Sequence, residues 1–275
     1  MTYAAVMTHV QPEAEAAPRL ACAIDVARRF RAAIIGVGAE MTPAPAYGDG
    51  FYGVRSDWSA AMAGAVEERL EAARAAFCAA TADMGERATF RCGVQFPEQA
   101  MAAESRAADL IVAGGAPRSL HGSYTCCAPA ELAISTGRPV LVVPPAGPPL
   151  SAKTILLAWK DTREARRALS DALPFFELAE RVVVVAVCNQ IDADNARIEV
   201  DDVAAALRRR GINAEAKLVE HAHPDGFQIL RQATQEGAGL IVCGAYGHSR
   251  LGELVFGGVT RDLLSQDDAY LLLSH

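Results

Sequence analysis

Residues 238–245, AGLIVCGA, fall on residues 108–115, ADLIVAGG, and at the same offset residues 268–273, DAYLLL, fall on residues 138–143, RPVLVV. Apolar runs that recur at one constant spacing mark an internal duplication, so the two halves are copies of one unit. Each run is short and apolar at successive positions, the pattern of a strand buried on both faces of a parallel sheet. Between the runs the periodicity lengthens to that of helices. In the second half TILLAW reads as a strand, REARRALSDALPFFELA as a helix, RVVVVAVC as a strand, IEVDDVAAALRRR as a helix and AEAKLVE as a strand. HPDGFQILRQATQE reads as a helix opened by Pro224 and Asp225, GLIVCGA as a strand, GGVTRDLLSQ as part of a helix and AYLLLSH as the last strand. This alternation predicts an α/β fold made of two tandem, doubly wound, five-stranded parallel-sheet domains.

At the front of each half the pairing, AAVMTHVQ with TILLAWKD, needs a larger offset, which fits an insertion in the first half around TPAPAYGDGFYGVRSDW, residues 42–58. Its Pro, Gly and aromatic content predicts a loop or lid. The stretch PPAGPPLSAK, residues 144–153, reads as the linker, because its prolines exclude helix and withhold ladder hydrogen bonds. The expected domains are therefore residues 1–146 and 151–275.

Composition narrows the function classes. The chain has 275 residues, 51% hydrophobic and 21% charged, with a formal net charge of −7, which disfavours a nucleic-acid surface or a polybasic membrane anchor. The one basic cluster, Arg208, Arg209 and Arg210, precedes Gly211 and suits a helix C-terminus. No apolar run approaches the ~20 residues of a membrane span, and the N-terminal residues lack a signal-peptide pattern, so a cytoplasmic location is expected. Seven cysteines without CxxC spacing suggest neither a disulfide framework nor a zinc cage. The adjacent pair Cys126 and Cys127 would close only a strained ring.

In a doubly wound sheet, ligands sit beyond the carboxyl ends of the strands where strand order reverses. That rule brings the loops after TILLAW, RVVVVAV and GLIVCG around one crevice. The last of these loops runs through GAYGHSRLGELVFGGVT, residues 244–260, which holds Gly244, Gly247, Gly257 and Gly258 and ends at Thr260. Glycines after a strand and before a helix allow a ligand close to the backbone, and exposed N–H groups at a helix start attract an anion. Turns and helix caps need glycine too, and Thr260 could equally cap the helix, so these residues alone leave phosphate binding and plain structure both open.

The spacing Gly244, two residues, Gly247, nine residues, Gly257, followed by Gly258, Val259 and Thr260, resembles the ATP-binding signature of the universal stress protein family, and LIVCGAYGHSRLGEL and LLLSH continue the likeness. The resemblance covers both halves and implies the universal stress protein, adenine nucleotide alpha hydrolase-like, fold. It implies ATP, with or without Mg, held by Cys243, Gly244, Tyr246, Gly247, Gly257, Gly258, Val259 and Thr260 on the phosphate and ribose side. Ala158, Trp159, Lys160 and Val187 would hold the adenine. Where the family usually has Ser or Thr, this chain has Gly258, and the missing hydroxyl, worth about 1 kcal/mol for a neutral hydrogen bond and about 2–3 kcal/mol for one to a charged group, predicts weakened affinity. Lys160 could meet a phosphate as a point charge. In the first half Gln11 aligns with Lys160, Pro117 with Gly247, Cys127 with Gly257, Ala128 with Gly258 and Ala130 with Thr260, so no comparable nucleotide site is expected there.

Catalytic residues are not indicated. His221 and His223 share a face only if the strand AEAKLVE extends to them, and the sequence offers no evident carboxylate or thiol beside them. Ser249 is not in a G-x-S-x-G elbow, and neither half has a P-loop or a G-x-G-x-x-G after its first strand. ATP hydrolysis, if any, is expected to be slow. Two roles follow. One is a nucleotide-biased stress-response module read by a partner protein. The other is a nucleotide-independent scaffold, in which the strands RPVLVVPP and AYLLLSH pair across a pseudo-twofold in a monomer or support a homodimer.

Overall fold

The structure, a computed structural model, describes residues 2–42, 55–114, 122–145, 147–245, 258–266 and 268–275, without the side chains of residues 55–60, 122 and 123. Most of the segment expected to form a loop or lid lies outside these residues, but its end, from Arg55, is already helical.

The first repeat runs β1 (Ala5–His9), α1 (Ala17–Phe30), β2 (Ala33–Glu40), α2 (Arg55–Ala80), β3 (Ala88–Val94), α3 (Pro97–Glu104), β4 (Leu110–Gly114), α4 (Gly122–Thr125), α5 (Pro129–Thr136) and β5 (Val140–Val143). The second runs β6 (Thr154–Ala158), α6 (Arg163–Asp171), α7 (Leu173–Leu178), β7 (Arg181–Cys188), α8 (Ala193–Arg208), β8 (Ala214–Glu220), α9 (Asp225–Glu236), β9 (Leu240–Gly244), α10 (Gly258–Leu264) and β10 (Leu271–Ser274). The region 163–179, expected as one helix, is two. Pro174 stands at the start of α7, where it supplies no N–H to continue α6. The helix expected from Ile198 begins earlier, at Ala193.

Two compact units emerge, Ala4–Leu132 and Ala133–His275 with Met1–Tyr3. In the first, the strands lie in the order β3-β2-β1-β4, all parallel. α1 packs on β1, β2 and β4, and α2 covers β2 and β3. In the second, the order is β5-β10-β9-β6-β7-β8, parallel throughout except that β5 runs antiparallel to β10, Leu141 opposite Leu272. α6 packs on β9 and β10, α8 on β7 and β8, and α9 on β6 and β7.

The cores follow the apolar runs. Val182, Val183 and Val184 of β7, Leu240 and Val242 of β9, and Leu272 and Leu273 of β10 are wholly buried. Tyr3 packs its ring 5.7 Å from Phe175 and donates its hydroxyl to the carbonyl of Asp171 at 2.5 Å, within the second unit. Among the described residues no helix is long and apolar enough to cross a membrane.

Candidate functional site

In the second unit the chain leaves β6, lays β7 and β8 on one side, then returns to place β9 and β10 on the other. Strand order therefore reverses between β6 and β9, whose carboxyl ends lie level, with Ala158 in register with Cys243. The loops after these two strands must part there, and the opening between them is where such sheets receive ligands.

The loop after β6 is rigidly founded. Trp159 donates its backbone N–H to the carbonyl of Val185 at 2.7 Å, Thr162 donates to the Lys160 carbonyl at 2.6 Å, and the Thr162 hydroxyl accepts from the Ala165 N–H at 3.2 Å to cap α6. Trp159 is buried and its indole N–H has no hydrogen-bond partner among the described residues, whereas Lys160 beside it is exposed. Val187 lies half-buried near the end of β7, in register with Val219.

On the other side of the opening, Gly244 ends β9. A Cβ there would stand 2.6 Å from the backbone nitrogen of Ala165 and the carbonyl carbon of Glu164, so the start of α6 already demands this glycine. Helix packing is a sufficient cause for Gly244, whatever else lies near it. Cys243 is buried, and desolvation pushes its thiol up to about 12, so only its backbone is available for contact. Past Gly244, the Ala245 N–H donates to the Ser274 carbonyl at 2.7 Å, and the Ala245 carbonyl lies 2.9 Å from Nδ1 of His275.

Tyr246, Gly247 and Gly257 lie outside the described residues, as do Pro117 and Ser249. Gly258 begins α10, exposed, with no atom of the described residues within 4 Å of where a Cβ would sit. Val259 is half-buried and Thr260 is 3% exposed. Thr260 sits inside α10 rather than ahead of it, which corrects the expectation that it could serve as the N-cap. Among the described residues no group of three or more His, Cys, Asp or Glu side chains could hold a metal ion.

The histidine pair also departs from expectation. β8 ends at Glu220, so His221 and His223 are not on one strand face. His221 does have a carboxylate companion, Asp225 at the start of α9, with Nδ1 2.8 Å from Oδ1, and His223 sets its ring edge-on against Phe227 at 5.7 Å.

The matching edge of the first unit is filled by its own side chains. Val10 N–H donates to the Val37 carbonyl just as Trp159 does to Val185, which puts Gln11 at the position of Lys160. Gln11 donates to the Thr125 carbonyl at 2.7 Å and accepts from Arg19 Nη2 at 2.8 Å. Arg19 Nε donates to the His9 carbonyl at 3.0 Å, and its Nη1 lies 3.1 Å from where a Cβ on Gly114 would stand. Where the second unit seats backbone of α6 on Gly244, the first seats a guanidinium on Gly114. Arg19 carried no sequence signal of this role, because the helix containing it is not in register with α6.

Residues 151–266 match the universal stress protein family. The fold resembles that of a universal stress protein from Archaeoglobus fulgidus, with a TM-score of 0.70 and 15% identity over 98% of this chain and 95% of that one. It also resembles a protein of unknown function from Pseudomonas aeruginosa, with a TM-score of 0.61 and 16% identity over 99% of this chain and 92% of that one. At such identities the likeness establishes fold alone, and no curated protein matches the sequence. The chain thus carries a universal stress protein domain at residues 151–266 and the same kind of α/β fold before it.

Proposed function

We propose that the second unit binds an adenine nucleotide, ATP with Mg in the first instance, and that the chain acts as a regulatory or protective module whose bound state a partner protein reads. The observation that carries this reading is the glycine spacing from Gly244 through Gly247 to Gly257, which begins at the end of β9, beside the reversal of strand order. Trp159 and Val187 would flank the base, Lys160 would face the phosphates, and Gly258 would offer backbone without a side chain. The first unit, with Arg19 and Gln11 spanning the corresponding edge, is left out of nucleotide binding, so one nucleotide is expected per chain.

Calorimetric titration of nucleotide-stripped protein with Mg–ATP tests this, beside Gly258→Leu. Among the described residues nothing stands within 4 Å of a Cβ at Gly258, so the substitution is expected to leave the fold intact while filling the phosphate side of the opening. The expected result is a stoichiometry near one, lost in the variant with an unchanged melting temperature in the absence of nucleotide. Absence of heat in the native chain at cellular ATP levels overturns the reading and favours the scaffold. One observation bears on the scaffold itself. β5 and β10 pair with each other inside the chain, so the edges it would use for a second copy are already joined along Val140–Val142 and Leu271–Leu273.

A further inference from the structure

The segment of the first unit that aligns with the phosphate side of the second is held by an acid of the same unit. Glu98, the second residue of α3, accepts a hydrogen bond at Oε1 from the backbone N–H of Ala128, at 3.2 Å. Ala128 is the residue that falls on Gly258 at the offset of the repeat. Glu131, in the first turn of α5, hydrogen-bonds to Glu98, and that bond and burial hold the Glu131 carboxyl above its ordinary range. Two residues before Ala128, the Sγ of Cys126 lies 3.6 Å from Gln11 Nε2, and the preceding carbonyl, of Thr125, accepts from the same nitrogen. The stretch from Thr125 to Ala128 is therefore gripped at both ends, by an amide on its carbonyl side and a carboxylate on its N–H side.

In the second unit the acid at the start of α9 is engaged elsewhere. A Pro-acid pair stands at each helix entry, Pro97 and Glu98 as the first two residues of α3 and Pro224 and Asp225 as the N-cap and first residue of α9, but Asp225 is bonded to His221. The acid one methylene shorter is drawn toward the imidazole on its own side of the turn.

We propose that Glu98 is an internal anionic ligand of the first unit, its carboxylate standing in for a phosphate group and holding the start of α5 in place without any nucleotide. The comparison with phosphate rests on the proposed function of the second unit; the contact itself and its test do not. On this view the first unit is a permanently liganded copy. Loss of the glycines and gain of an acid are then two parts of one change, since Ala128 needs only to present its N–H to a side chain fixed on α3.

An internal ligand can be removed and replaced from solution. In the full chain without nucleotide, Glu98→Ala is expected to raise the hydrogen-exchange rate of the Ala128 amide at least tenfold and to lower the melting temperature by several degrees. Acetate or inorganic phosphate, at ionic strength matched with chloride, should then recover at least half of that lost temperature beyond any effect on the native chain. Should Glu98→Ala not fold, Glu98→Gln serves, because it keeps an acceptor and loses the charge. Its Ala128 amide should exchange faster than in the native chain, by less than tenfold. Unchanged exchange at Ala128, or a loss of stability that neither oxyanion recovers, overturns the proposal. Because nucleotide is absent throughout, failure here is separate from failure of ATP to bind the second unit.

Discussion

His9 shows how one buried side chain sets the acid tolerance of the first unit. Its Nε2 lies 2.9 Å from the Ala39 carbonyl, its Nδ1 is buried without a hydrogen-bond partner among the described residues, and the residue is 3% exposed. Burial above all, and then the Arg19 charge, lower its pKa from 6.5 to about 3. The unfolded chain takes up a proton here as the pH falls through 6.5, and the folded chain does not until about 3. Stability therefore falls with pH across that window, by about 2 kcal/mol between pH 7.5 and 5. Urea unfolding at those two pH values should show the difference in the native chain and a clearly smaller one in His9→Gln, which keeps a donor for Ala39. Little of this was legible in advance. His9 sits at the end of a plainly readable strand, but its surroundings come from β2 and from α1, which carries Arg19.

At the scale of elements, α9 and α10 meet so closely that the second unit depends on one glycine. A Cβ on Gly226 would stand 2.6 Å from the Cβ of Asp262 and 3.2 Å from the Val259 carbonyl. Gly226→Ala must push α10 away or be relieved by backbone movement, at a cost of about 1–3 kcal/mol. Because Val259 and Thr260 move with α10, the variant should also weaken Mg–ATP binding, whereas a substitution at the far end of α9 should affect stability alone. Denaturant midpoints and titrations on the same samples separate the two. That far end is anchored by charge: Lys217 Nζ lies 2.6 Å from Glu236 Oε1 and Arg181 Nη1 lies 3.0 Å from Oε2, and these partners, Lys217 first, hold the Glu236 carboxyl below its usual range. The elements themselves were readable, because strands such as β7 and β8 are each one unbroken run of sequence and need only their own pattern. The break between α6 and α7 was not, since an apolar helical period runs straight through Pro174.

For the whole molecule, the second unit borrows chain from the front of the sequence. β5 supplies the antiparallel partner of β10, and Tyr3 is bonded to Asp171 and packed on Phe175. A fragment of residues 151–275 therefore exposes the edge of β10, and open strand edges pair with one another. Sedimentation should find that fragment self-associated and less stable than residues 133–275, which retain β5. Equal behaviour of the two fragments would show that the β5 pairing contributes nothing to the second unit.

The sequence by itself determined the duplication, the α/β alternation and the glycine spacing, because periodic burial and glycine-rich turns are local properties written along the chain. It also named Gly244, but for a ligand, where the close approach of Glu164 and Ala165 already demands it. What only the tertiary structure decided was which side chains face one another across the carboxyl edges of the strands: Gln11 with Thr125, Arg19 over Gly114, Glu98 on Ala128, and Asp225 with His221. Apart from Asp225 and His221, which are four residues apart, those contacts join residues far apart in sequence. Their energies depend on distances set by strand order and helix packing, so no local pattern records them.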